Sequence, residues 1–464
     1  MVVGWQRVFE ARQIPCEPHV AEQVPPFPER WLAPTGRESV HQAAASEPHY
    51  PRKIVGEDPR MVRAVAVFAA ALPLFSGSAW AQSEDDPRST ARMHIGPFYL
   101  TPGIAVKNVG VDTNVFNTGD DPKSDFTATI GPGLDVFIPI RRASLSLNSL
   151  TDFVYFHTFA SERSINGNLV VRGEVPIRRV TLFAENSYLN TRERPSFEID
   201  KRSRRVENRV EVGVSVDLVR KLSVQLSGRQ ASVEYDADEV FQGSNLAELL
   251  NRDSQTAAVS LNYRLTPITT MLLTGEATVT RFRLSPERDS DSVSIVPGVE
   301  FNPQGLISGS AHVGFRNFVG LDAALPGFAG PVAAVDLAYR LLGSTVIGVT
   351  VDRNVDYSFE IDEPYYVATG YGGSVRRQLG GRFDAVVEVQ QFTYRYRELG
   401  AGAEQDLASE RIDTTRNYSL SIGYRLNSGA RFDVSLSYWQ RRSDERDFLN
   451  YQGFRLGSNV TYGL

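Results

Sequence analysis

R-V-E-N-R-V-E-V-G-V-S-V-D-L, residues 205–218, decides the fold. Val206, Val210, Val212, Val214, Val216 and Leu218 fall on one face, with Asn208 the exception. Arg205, Glu207, Arg209, Glu211, Ser215 and Asp217 fall on the other. The period is two rather than 3.6, so this is a strand with one apolar and one charged face. The pattern recurs along the chain. Val293, Ile295, Val299 and Phe301 alternate with polar neighbours, as do Phe383, Ala385, Val387 and Val389. Further on, Tyr418, Leu420, Ile422 and Tyr424 repeat it, followed by Phe432, Val434, Leu436 and Tyr438. Beyond Gln82 no convincing amphipathic helix is found, apart from a possible short turn at 245–250.

The connections between these strands are of two kinds. Short, turn-like ones fall at 139–142, 176–179, 219–221, 266–268, 302–305, 341–344, 379–381 and 427–429. Longer polar ones lie between them, among them 117–124, 192–203, 236–252, 318–330, 398–411 and 443–450. Strict short–long alternation marks an up-and-down barrel with its short turns on one rim. Eight short and nine long connections predict 18 strands, with both termini on the short-turn side. The expected fold is therefore all-β, a transmembrane antiparallel β-barrel of about 18 strands with short periplasmic turns and longer extracellular loops. A soluble sandwich or propeller has no reason to combine such uniform strands with aromatics at their ends. Tyr263, Tyr339, Phe383, Tyr424 and Tyr462 lie near the short turns, and Tyr188, Phe282 and Tyr365 near the long loops, as two interfacial girdles would. At the end of the chain Phe454, Leu456, Val460, Tyr462 and Leu464 alternate, a terminal strand resembling the assembly signal of outer-membrane proteins. Leu464 departs from the usual final aromatic residue.

Composition bounds the rest. The chain has 464 residues, a net charge of −6 and a single cysteine, Cys16. Disulfides within the chain and cysteine-based zinc sites are excluded. Mean hydropathy of −0.24 argues against a bundle of spanning helices. The mild acidity points away from nucleic acid. Of the 49 basic residues only five are lysine, so arginine dominates. Residues 61–82, MVRAVAVFAAALPLFSGSAWAQ, have a short basic start, an apolar stretch and the small-x-small site Ala79-Trp80-Ala81. They read as a secretory signal peptide over 61–81, cleaved between Ala81 and Gln82. Residues 1–60 then read as the product of a start codon assigned too early, or as a disordered extension. A short periplasmic segment, 82–96, precedes the barrel at 97–464.

The stretch Asp112-Thr-Asn-Val-Phe116, a polar loop, then Ser124-Asp-Phe126 and Pro132-Gly-Leu134 resemble the first hairpin of the outer-membrane β-barrel porins encoded beside exopolysaccharide or capsule genes. The following RRASLSLNSLTDFVYF fits the third strand of that family. The resemblance covers roughly 97–464, with its specific motif confined to the first hairpin. It implies an outer-membrane location in a Gram-negative bacterium and a porin-like role tied to exopolysaccharide export, or a non-conducting accessory barrel of such a system.

A barrel of 18 strands is wide enough for an aqueous lumen. The charged faces nominate Asp152, Arg172, Glu174, Glu185, Arg205, Glu207, Arg209, Glu211, Arg229, Arg316, Arg382, Asp384, Glu388, Arg425 and Arg455 as pore-lining. A wall of both signs suits the passage of polar solutes. For any one of these residues, a cross-strand ion pair that merely keeps the lumen hydrated is the plainer role. The longest loop, 236–252, carries Phe241, Asn245, Leu246, Leu249 and Leu250, and can either narrow the lumen or pack over the rim. Acidic clusters at Asp120-Asp121 and at Asp236, Asp238 and Glu239 can bind cations that bridge lipopolysaccharide, or simply be solvated. Partners expected are outer-membrane lipids, lipopolysaccharide, the barrel assembly machinery through the last strand, and exopolysaccharide export components. No cofactor or metal is expected. Beyond Gln82 the histidines are His94, His157 and His312, too scattered for a triad or metal site, so catalysis is not expected. Too few residues precede the first strand for a transporter plug.

Overall fold

The computed structural model describes residues 87–463 except 304, 401–410 and 427–428, together with a short antiparallel pairing of Gln13–Ile14 with Glu22–Gln23. The expected signal peptide and cleavage site, Ala81 and Gln82, lie outside the described residues, as does the centre of the loop at 398–411.

Eighteen long strands form one closed antiparallel barrel. They are β1 Phe98–Asp112, β2 Asp125–Ile140, β3 Ala143–Phe156, β4 Ser164–Ile177, β5 Val180–Thr191 and β6 Arg205–Val219. Next come β7 Leu222–Tyr235, β8 Arg252–Thr266, β9 Thr269–Phe282, β10 Ser290–Phe301, β11 Ile307–Gly320 and β12 Phe328–Leu341. The last six are β13 Thr345–Tyr357, β14 Tyr365–Gly380, β15 Phe383–Arg397, β16 Ile412–Arg425, β17 Arg431–Ser443 and β18 Tyr451–Tyr462. Each strand pairs with the next, as the alternating connections required. Closure joins β18 to β1, from Arg455 opposite Asp112 to Tyr462 opposite Ile104. The ladder is irregular there, and β1 is also irregular against β2 between Lys107 and Gly110. Asn108 takes a left-handed φ of +55° in that bulge, and its N–H donates to Asn459 Oδ1 at 2.8 Å.

The two faces separate by residue parity. On β6, Val212 is 54% exposed to the lipid side while Glu211 is 1% exposed. Glu185, Glu211 and Arg229 stand opposite one another on β5, β6 and β7, so the charged face lines the interior. Lipid supplies no partner for backbone groups, and only a closed sheet satisfies them all. At the short-turn end Tyr263, Tyr339, Phe383 and Tyr462 point outward, each more than 40% exposed. Tyr188 is outward at the opposite end. The girdle expected of Phe282 and Tyr365 is not found. Phe282 is turned inward and packs edge-on against Tyr357, with ring centroids 4.9 Å apart. Tyr365 is fully buried against Phe318.

Phe282 shares the inward parity of Thr274 and Thr280, whereas Tyr365 is displaced by a departure from the cylinder. Pairing of β12 with β13 ends at Ala333 opposite Arg353, whereas β13 continues against β14 to Tyr357 opposite Tyr365. The outer end of the β13–β14 hairpin therefore parts from β12 and leans over the lumen, still paired with β15 up to Tyr365 opposite Arg397. Both of its faces are covered. Tyr365 and Val367 pack with Phe318, Phe328 and Val332, while Tyr366 and Ala368 face the opposite way. A four-residue apolar run, Tyr365-Tyr366-Val367-Ala368, is what a strand buried on both faces demands.

Candidate functional site

The side on which Tyr366 and Ala368 lie meets the loop between β5 and β6, residues 192–204. Locally this loop is a tight finger. Pro195 fixes one backbone angle at its start. The Ser196 hydroxyl accepts from the N–H groups of Glu198 and Ile199 at 3.2 and 3.3 Å, closing a turn. Arg194 Nε donates to the Asp200 carbonyl at 2.8 Å across the base of the finger, and its Nη2 to the Val115 carbonyl at 2.7 Å. Arg202 anchors the return arm to Glu162 at 2.8 Å.

The fingertip ends on the far side of the barrel. Phe197 stacks on Tyr394 of β15 and meets Tyr366 of β14 edge-on. Arg441 of β17 donates to the Phe197 carbonyl at 3.1 Å and to Asp200 at 3.3 Å. Its other arm reaches Asp413 of β16 at 2.7 Å. In a ring of 18, β5 and β6 stand diametrically opposite β14 and β15, with β16 and β17 next to those. Strand spacing and tilt give such a ring a radius of about 18 Å. The finger thus crosses the mouth of the lumen to meet long side chains of the other wall.

Two further loops hold it. Ile199 sits in an apolar cluster with Phe241, Leu246, Leu250 and Phe359. Leu246 and Leu250 belong to the short helix Leu246–Leu250, capped by Asn245 Oδ1, which accepts from Ala247 N–H at 2.9 Å. The longest loop, for which the sequence left open narrowing the lumen or packing over the rim, thus backs the finger, and the segment that reaches across is the shorter loop 192–204. Glu198 accepts from the Ser358 hydroxyl at 2.6 Å and from Phe359 N–H at 3.3 Å. Ser358 and Glu360 are fixed in turn through their carbonyls by the buried Arg288 guanidinium. Behind the contact, Arg411 grips Asp413 with two nitrogens at 3.2 and 2.8 Å and Glu363 with a third at 2.6 Å. Arg446 completes the cluster on Glu360 and Glu363. Planar guanidinium forks suit such buried, bidentate pairing.

The sequence-nominated charges lie deeper or along the wall. Arg172 pairs with Glu174 at 2.6 Å and Glu185 at 3.0 Å. Arg205 pairs with Glu207 at 2.7 Å, Arg209 with Glu211 at 3.7 Å, and Arg229 with Glu276 at 4.0 Å. Asp152 holds Lys107 at 2.9 Å and Arg455 holds Asp112 at 2.5 Å. Asp384 lies between Arg425 at 3.5 Å and Arg431 at 2.6 Å. Arg316 donates to Asn354 at 2.5 Å, and Glu388 accepts from Ser419 at 3.4 Å. Arg382 is not on a strand but in the exposed turn before β15. In the acidic clusters, Asp121 pairs with Lys123 and Glu239 with Lys201.

A family model described as Putative beta-barrel porin 2 matches residues 86–463. The chain belongs to this family. No curated protein is detectably similar to it. Among solved structures, Pseudomonas aeruginosa OpdK with vanillate is 10% identical, over 78% of this chain and 98% of that one, at a TM-score of 0.43. Pseudomonas aeruginosa OccK2 (OpdF) in complex with glucuronate is 11% identical, over 78% and 97%, at 0.44. The FrpB iron transporter from Neisseria meningitidis is 7% identical, over 75% and 63%, at 0.40. Likenesses this distant carry no argument.

In this porin-family barrel of the outer membrane, the finger carries a buried ionisable group, Glu198, into the loop contacts over the lumen. Burial pushes the Glu198 carboxyl up to about 7, against the lowering effect of the Ser358 hydroxyl and of Arg411. A carboxylate excluded from water favours its protonated form. Glu363 is likewise raised by burial, with Arg411 and Arg446 opposing. None of Phe197, Glu198, Asp200, Arg411, Asp413 and Arg441 was nominated from the sequence.

Proposed function

We propose that this chain is an outer-membrane channel of a Gram-negative bacterium for passive movement of polar solutes, narrowed at its outer end by the finger 192–204. The observation that carries this reading is the contact of Phe197 and Asp200 with the wall opposite their own strands. A charged wall of both signs keeps water in the lumen and tunes which ions pass. The finger then sets the size limit. The test is conductance of the refolded full chain in a planar bilayer, beside a variant in which 195–200 is replaced by a Gly-Ser linker. Small ohmic steps that grow severalfold in the variant are expected. Equal conductance of the two would remove the finger from the path.

A second reading has its own support. The tip is tightly packed, with Glu198 and Ile199 each 2% exposed. This favours a barrel closed at rest, opened by partners of an exopolysaccharide system, the association suggested by the first hairpin. Silence from the wild type, with steps from the linker variant, would select it.

A further inference from the structure

The periplasmic rim carries an arrangement that the finger does not use. Three connections between successive hairpins hold basic pairs: Arg141-Arg142, Arg178-Arg179 and Arg220-Lys221. In two of them the first arginine is left-handed, with φ of +52° at Arg141 and +58° at Arg178. Side chains other than glycine seldom adopt this conformation.

Just inside these turns, among β6, β7, β8 and β9, lies a recess of about 450 Å³. Arg179, Arg220, Lys221 and Arg264 line it, against one carboxylate, Asp217. Asp217 stands opposite Ser223, and Ser223 opposite Asn262, in the register that faces the lumen. Arg264 stands opposite Thr270 in the same register. The recess therefore opens to the mouth of the lumen and not to lipid. Its frame is fixed by backbone hydrogen bonds of 2.8 Å from Asp217 N–H to the Arg179 carbonyl and from Arg264 N–H to the Lys221 carbonyl. Ser223, Asn262 and Thr270 add neutral hydroxyl and amide groups to the lining.

We propose that this recess binds an anionic, hydroxyl-rich solute of the sugar-acid class at the periplasmic mouth of the barrel. A surplus of guanidinium and ammonium groups recognises carboxylate, and guanidinium does so through a fixed fork. The neutral groups match sugar hydroxyls. The volume lies within the range of small-molecule sites. The inference rests on the channel reading for the solute's passage, and binding itself needs no conduction.

The test is calorimetric titration of the refolded full chain in zwitterionic nanodiscs with digalacturonate. Saturable binding is expected, weakening as salt screens the charges. The double variant Arg179→Gln, Arg264→Gln should bind about tenfold more weakly or worse, as loss of charged hydrogen bonds implies. Arg377→Gln, on the far side of the same rim, should bind as the wild type does. Should the double variant fail to fold, Lys221→Gln alone is expected to weaken binding severalfold. Undiminished affinity in the folded variants, or equal binding of neutral maltose, overturns the proposal. Nanodiscs containing phosphatidylglycerol should leave the affinity unchanged, and competition by that lipid would assign the recess to headgroups and overturn it too. Binding by a barrel that conducts nothing would leave this inference standing and sink only the channel reading.

Discussion

Arg441 and Arg411 are both fully buried, and both reach the carboxylate of Asp413. Only Arg441 also holds the finger, through Asp200 and the Phe197 carbonyl. Removing one partner of a buried ion pair leaves the other charge uncompensated, at about 3–5 kcal/mol. Arg441→Gln should therefore shift the finger from docked to free by about a hundredfold or more. Limited trypsin digestion reads this directly, because Lys201, Arg202 and Arg204 lie on the finger's return arm. Rapid cleavage is expected in the variant and slow cleavage in the wild type. Equal rates would mean that apolar packing of Phe197 and Ile199 holds the loop unaided. Arg441→Lys keeps the charge but not the fork, and should fall between the two.

At the scale of the element, the finger is joined to the pH of its surroundings through Glu198. Burial raises its folded pKa from the usual 4.5 to about 7. Between those values the docked state binds more protons than the free one, so docking weakens as pH rises through that window. It is strongest below about 4.5, and the contribution is lost once pH passes 7. Conductance should accordingly be lower at pH 5 than at pH 8. Glu198→Gln, neutral throughout, should flatten that dependence, and an unchanged pH profile in the variant would remove Glu198 from it. The elements themselves were legible in the sequence, strand by strand, because a wall between lipid and water forces a period of two. The inward lean of the β13–β14 hairpin was less so, although Tyr365-Tyr366-Val367-Ala368 breaks the alternation and advertises cover on both faces. Phe197 and Ile199, apolar residues in a charged loop, were a matching signal. What the sequence cannot contain is their meeting, since the finger and its contacts at Tyr366, Tyr394 and Arg441 are separated by most of the barrel. Composition drew attention to the longer loop at 236–252 instead, which turned out to support the finger from behind.

At the scale of the whole molecule, inside and outside impose opposite demands on adjacent residues. Val212 faces lipid near the middle of β6, whereas Ser215 faces the lumen. An arginine on the lipid face near the midplane costs about 2–4 kcal/mol. Val212→Arg should lower the urea midpoint for unfolding from lipid vesicles accordingly. Ser215→Arg should leave it nearly unchanged, and a similar loss in both would contradict the assigned orientation. The seam between β1 and β18 has a different kind of consequence. Asn108 and Asn459, which meet there, are 351 positions apart in the chain. Every other wall contact between strands joins near neighbours in sequence, and local contacts form first while distant ones wait for loop closure. The ring is therefore complete only when the final strand pairs with the first. Closure of the whole wall thus hangs on one seam, a bulged and irregular ladder between the first strand and the last.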